Sequence, residues 1–347
     1  MQRLLVLLLL STVIFTGCTS KKDARLYIYC NETFWYVMQE ESLFFNKIYG
    51  SQVYLIPLRA ERTADKTESP AEIGIDRRSP IPWLNMTADE TVPDTTRTAP
   101  IRTAQINPDI ERQIRRIFET HFGDLFLSDS PKHLEAVRNT ALSAKEYPVC
   151  YLTLSMLVPS GNPLQFRSVK DVLDTNHILG IVDPSFDGLG EASWQVLRKI
   201  VPGGESDIPM HLVRVFERQY DLMEALELGR IDAALVWNST SQVSFLLTKY
   251  SEEYNTANEK IIREADRSKD TERLRAVLQA MYQDLVETQR FAEEVELTEN
   301  PDERHITAIW LVALSSSDNH GHCKRFADFM RSNQGKEILR RFGFVVD

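Results

Sequence analysis

The chain has 347 residues, of which 43% are hydrophobic and 26% charged, a balance that suits a soluble globular protein of two domains or lobes. Its formal net charge of −10 argues against a general role in holding nucleic acid. The same charge disfavours electrostatic capture of distant anions, so an anion here has to be held by local dipoles.

Gln2 to Cys18 reads as a targeting segment. Arg3 gives a positive start, Leu4 to Leu10 an apolar stretch, and Phe15-Thr16-Gly17-Cys18 closes with small residues before a cysteine. The apolar run is too short to span a bilayer comfortably. It resembles the lipobox of bacterial lipoproteins, in which cleavage leaves the cysteine, here Cys18, as a lipidated N-terminus. The plainer alternative is an ordinary signal peptide. Lys21-Lys22-Asp23 then reads as a tether. Cys30, Cys150 and Cys323 remain, leaving room for one disulfide and one free thiol with the pairing open. Without a CxxC spacing, a zinc or redox centre gains no support.

In chain order, Arg25 to Tyr29 predicts a buried strand, and Asn31 or Thr33 an N-cap for a helix over Phe34 to Tyr49, where Gly50 stops it. Gln52 to Leu58 predicts a second strand. Residues 59–107 are rich in Thr, Pro, Asp, Glu and Arg and read as a long surface insertion. Pro108 to Phe122 predicts an amphipathic helix, Asp124 to Leu127 a strand, and Ser128-Asp129-Ser130 a turn capping a helix from Pro131 to Arg138.

The most informative stretch runs from Tyr151 to Ser193. An apolar strand from Thr153 to Val158 ends in Pro159-Ser160-Gly161-Asn162-Pro163. A short helix leads to a second strand, Ile178 to Val182, which opens the loop Phe186-Asp187-Gly188-Leu189-Gly190 ahead of a further helix. Strand, helix, strand and glycine loop form the local plan of a parallel sheet, and the free N–H groups at such a helix start favour an anion. His211 to Phe216 and Ala233 to Val236 predict strands around a helix from Tyr220 to Leu228. Glu252 to Glu296 reads as mostly charged helix, Ile306 to Leu314 as a last strong strand, and Phe326 to Phe342 as a helix or helix pair interrupted at Gly335. His320-Gly321-His322 reads as a solvated turn. Thr33, Ser128, Asp187 and Trp237 fall where strands end, the edge at which open α/β sheets bind ligands.

Scattered over the mature chain, LYIYCNETF, ERQIRRIFETHFGDLFLSDS, VPSGNP, GIVDPSFDGLGEAS, GRIDAALVW and FADFMRSNQGKEILRRFGF appear in an order and spacing that resemble the periplasmic molybdate-binding proteins of ABC importers. The resemblance implies an α/β, two-lobed type 2 periplasmic binding protein fold with a ligand cleft between lobes. It divides the chain into a leader (1–18), lobe I (24–150, with the insertion 59–107), lobe II (151–304, with a helical insertion 252–300) and a return to lobe I (305–347). It implies neutral donors around a tetrahedral oxyanion, molybdate or tungstate first. Thr33 falls where the family has a serine, and Trp237 where it has a tyrosine, keeping a donor but losing the acceptor. Leu189 and Leu222 would offer backbone N–H groups, Asn107 lies near a second serine, and Ser128 matches a serine beside the cleft. Asn31 and Gly188 complete the candidate set.

The implied protein is a monomer without catalysis, cofactor or metal, lipid-anchored at Cys18 in the periplasm or at the cell surface and serving an ABC permease and ATPase. The sequence departs from that pattern by placing Glu32, Asp129 and Asp187 in the candidate loops, where an ionised carboxylate would repel an oxyanion. Either these groups point away, or the ligand is another one. The alternatives are therefore the same fold with a different small solute, and a non-transport sensor or interaction protein. Neither G-x-S-x-G, Walker A nor H-E-x-x-H occurs.

Overall fold

A computed structural model describes residues 25–58, 108–185, 187–242, 292–297 and 303–347. Cys18 and its leader, Asn107, the insertion 59–107 and the charged stretch 243–291 lie outside the described residues. Among the described residues no helix is long and apolar enough to cross a membrane.

The molecule is α/β. Strand β1 (Arg25–Cys30) is followed by a 3-10 turn (Glu32–Phe34) and helix α1 (Trp35–Tyr49). Phe34, Val37, Met38, Phe44 and Phe45 are buried, which is the helical period that the sequence shows. Gly50 adopts φ 63° and its N–H bonds the Asn46 carbonyl, the left-handed stop expected of glycine. Strand β2 (Gln52–Pro57), helix α2 (Pro108–Thr120), β3 (Leu125–Ser128) and α3 (Pro131–Asn139) follow. β1 runs parallel to both β2 and β3.

Strand β4 (Ser143–Pro159) is far longer than its apolar core suggests. Its first half pairs antiparallel with β9 (Ile306–Leu314), and its second half pairs antiparallel with β7 (Ala233–Trp237) and β8 (Ala292–Glu296). β9 also pairs with β3, so the first sheet is ordered β2-β1-β3-β9-β4. In the second sheet β5 (Leu179–Val182) lies between β6 (Val213–Phe216) and β7, parallel to both. The wholly parallel plan expected around Tyr151 to Ser193 is thus corrected at β4, which enters from the other sheet with the opposite direction.

Helices α4 (Val169–Asp174), α5 (Gly188–Ile200) and α6 (Gln219–Glu227) connect the second sheet, and α7 (Asn238–Gln242) leaves it. Ala292–Glu296, expected as the end of a charged helix, is a strand instead. The edge of β4 beyond β9 offers unpaired backbone groups, and pairing there overrides helix propensity. Helices α8 (His320–Met330) and α9 (Asn333–Arg341) return to the first sheet, where Phe326 meets Phe45 edge-on at 5.0 Å. His320 and His322 therefore open a helix rather than a solvated turn. Cys30, Cys150 and Cys323 are buried free thiols, so the disulfide for which the composition left room does not form.

Candidate functional site

The ends of four strands converge where the two sheets meet. β1 delivers Asn31 and Thr33 on its 3-10 turn, β3 delivers Asp129, β5 leads into Gly188 at the start of α5, and β7 ends in Trp237. Asp129, only 1% exposed, is the centre of this arrangement. Its carboxylate accepts from the Asn31 Nδ2 amide, from Thr33 Oγ1 at 2.9 Å, from the Gly188 N–H at 3.2 Å and from the Trp237 Nε1–H at 2.7 Å. Two donors come from the first sheet's side and two from the second, so one carboxylate ties the lobes together.

Glycine is required at 188 by this approach. A Cβ there would lie 2.2 Å from the Asp129 carbonyl oxygen and 2.9 Å from the Ser130 nitrogen, so backbone meets backbone. Gly190 is similarly confined, with an added Cβ 2.5 Å from the Asp183 carbonyl oxygen. The glycine loop is a close-packing device as well as a helix start.

Electrostatics separate the two buried aspartates. Burial pushes the Asp129 carboxyl up from its ordinary range, and the hydrogen bonds from Trp237, Thr33, Gly188 and Asn31 oppose that rise. Asp187, the side-chain cap of α5 through Gly190 N–H at 3.0 Å, is pushed well above the usual carboxylate range, first by burial and then by the charge of Asp129. The upward shift is the stronger at Asp187, whereas the four donors around Asp129 favour its ionised form. Gln219 extends the network: its amide donates to Thr33 Oγ1 at 3.0 Å, and its carbonyl oxygen accepts from Thr240 Oγ1 at 3.0 Å. Close to Asp129, the half-buried Lys132 and Glu191 pair at 3.7 Å. A recess with an empty volume of about 280 Å³, its mouth included, opens beside the cluster and is lined in part by Glu32, Thr33, Tyr36, Gln219 and Thr240.

The expected site residues divide accordingly. Asn31, Thr33, Gly188 and Trp237 come together. Asn31 stands at the N-cap of the 3-10 turn without capping it, because its amide is turned to Asp129. Leu189 is buried one residue beyond the N–H that reaches the carboxylate. The Leu222 N–H bonds the Arg218 carbonyl at 3.1 Å in the first turn of α6. Ser128 is turned to its own loop, where its hydroxyl meets His133 Nδ1 at 2.9 Å and accepts from the Ser130 N–H at 3.1 Å. Burial lowers the His133 pKa to about 3, so that imidazole stays neutral. Ser130 caps α3.

Asp129 as acceptor and Gln219 as relay were not expected. The only sequence signal for Asp129 is a carboxylate set between two serines at a strand end; Gln219 carries none.

Solved structures share the architecture. The periplasmic molybdate-binding protein of Azotobacter vinelandii aligns with a TM-score of 0.56 at 11% identity, covering 93% of this chain and 99% of that one. The substrate-binding domain of a putative molybdenum ABC transporter from Clostridium difficile aligns at 0.53 and 12%, covering 93% and 99%. The sulfate-binding protein SubI from Mycobacterium tuberculosis H37Rv aligns at 0.54 and 11%, covering 93% and 88%. At such identities the likeness is one of fold: two lobes with a cleft between them. No curated protein sequence matches the chain. The profile of one family spans residues 111–345, from α2 through the C-terminal strand and helices, and by that match the chain belongs to the bacterial extracellular solute-binding proteins.

Proposed function

We propose that the protein is the solute-capturing component of an ABC importer, lipid-anchored at Cys18 outside the cytoplasm, and that its solute is a small oxyanion, with molybdate or tungstate first. One observation carries this reading. Asn31, Thr33, Gly188 and Trp237 point neutral N–H and O–H donors at the oxygens of a single buried carboxyl group, the arrangement an anion receptor requires. None of these donors is itself charged, and a ligand with acceptor oxygens alone satisfies all of them. The similar proteins named for molybdate and sulfate support the same class of guest.

The solute and the Asp129 carboxylate cannot share the cluster. Two unit charges about 4 Å apart repel by roughly 4 kcal/mol at an effective dielectric of about 20, and a dianion doubles that. Capture is therefore an exchange: Asp129 leaves the donors as the solute arrives, and the lobes close again over it.

Calorimetric titration of the purified protein with molybdate, tungstate, sulfate and phosphate tests the proposal. Saturable heat with at least one of them is expected; no heat and no thermal shift with any of the four sinks it. Glu32, Asp129 and Asp187 gathered at one site favour a second reading, a solute bearing an ammonium group, and the same titration with small amines discriminates the two.

A further inference from the structure

We propose that Asp129 is a tethered internal ligand: it occupies the anion-receiving cluster as a surrogate for the solute, holds the two lobes together through it, and sets the concentration at which a free oxyanion displaces it.

Part of this inference rests on the oxyanion reading above; the bridging of the lobes stands on geometry alone. The carboxylate meets donors from both sides, Asn31 and Thr33 from the first sheet and Gly188 and Trp237 from the second. A free carboxylate or oxyanion bound at the lobe junction would make the same contacts. The position is not an incidental one for a side chain. Asp129 is 1% exposed, Trp237 is fully buried, and the Gly188 backbone packs so tightly on the Asp129 backbone that no Cβ fits between them.

The loop that carries Asp129 is anchored independently of its carboxylate. Ser128 Oγ accepts from the Ser130 N–H and meets His133, and the Ser130 hydroxyl caps α3. The carboxylate can therefore leave by side-chain rotation while the turn stays in place. When the lobes part, Asp129 keeps its near partners Asn31 and Thr33 and loses Gly188 and Trp237. A competing solute has to replace it on all four. A binding-competent fraction lowered by self-occupancy weakens the apparent affinity by that same fraction. A wild-type site tuned in this way answers only to high solute concentrations.

The test compares the purified wild-type protein with Asp129→Ala and Asp129→Asn, each first checked for native circular dichroism. Titration with molybdate, tungstate, sulfate and phosphate is expected to show at least one anion binding Asp129→Ala tenfold or more tightly than wild type. In solution without added solute, X-ray scattering is expected to give both variants a larger radius of gyration than wild type. If an anion binds wild type and binds Asp129→Ala no more tightly, Asp129 is not a competitor and the proposal is overturned. If no anion binds any of the proteins, the oxyanion reading fails, and scattering alone decides the bridging role. An unchanged radius of gyration in Asp129→Asn overturns it; an enlarged one upholds it. Should Asp129→Ala not fold, Asp129→Asn, close in shape and uncharged, carries both measurements.

Discussion

Replacing Thr33 by valine probes the donor cluster with little change in side-chain volume. The Thr33 hydroxyl donates to Asp129 at 2.9 Å and accepts from Gln219 at 3.0 Å, so the substitution removes both bonds. A hydrogen bond to a charged group contributes roughly 1.5–3 kcal/mol, and a buried partner left unsatisfied costs roughly 1–3 kcal/mol. The two combine to about 3 kcal/mol toward the low end of their sum, because Asp129 keeps its other three donors. At roughly 2 °C per kcal/mol for a protein of this size, the melting temperature should fall by about 6 °C. The effect on anion affinity should be smaller. The same hydroxyl serves the resident carboxylate and the arriving solute, so its loss weakens both sides of the exchange and shifts apparent affinity by less than about tenfold. Thermal unfolding followed by circular dichroism, alongside calorimetry, reads both. A melting temperature within about 1 °C of wild type would refute the reasoning, because it would mean that the hydroxyl holds neither partner.

Gly188→Ala places a methyl group 2.2 Å from the Asp129 carbonyl oxygen, so the lobes have to separate or the turn has to shift. We expect a lower melting temperature and faster amide exchange at residues 128–130 and 188–190, and unchanged exchange there counts against the close approach. The pH dependence of stability follows from Asp187. Its folded pKa is raised above the unfolded value of 3.8, so the folded state keeps a proton that the unfolded chain gives up. Stability from this group is present below that unfolded value and declines as pH rises toward the folded one. Asp187→Asn should therefore flatten the fall in melting temperature as pH rises above 3.8, relative to wild type. Parallel curves for the two proteins would contradict a raised Asp187 pKa.

Much of the architecture was legible where burial repeats at a regular interval. The 3-10 turn and α1 show one apolar face in Phe34, Val37, Met38, Phe44 and Phe45, and β9 is apolar over nearly its whole length because it is enclosed between two neighbours. β4 was harder to read: Lys145, Glu146 and Pro148 interrupt its first half, and its pairing partner β9 lies more than 150 residues further along. β8 was misread because Ala292–Glu296 is charged, and only the free edge of β4 makes it a strand. At the site, Asn31, Thr33 and Trp237 were recognisable as donors at strand ends. The direction of a carboxylate was not, since it depends on which backbone approaches from the other lobe. Asp129 pointed inward, and the sequence could state only that it would be repulsive to an anion if it did.

The strand order of the first sheet has a temporal side. β9 is wedged between β3 and β4, yet it is made more than 140 residues after the end of β4. Until it emerges, β3 and the first half of β4 have no backbone partner on their facing edges. Completion of the first sheet thus waits for nearly the whole polypeptide, and a chain interrupted before Ile306 is left with two exposed edges open to association with other copies.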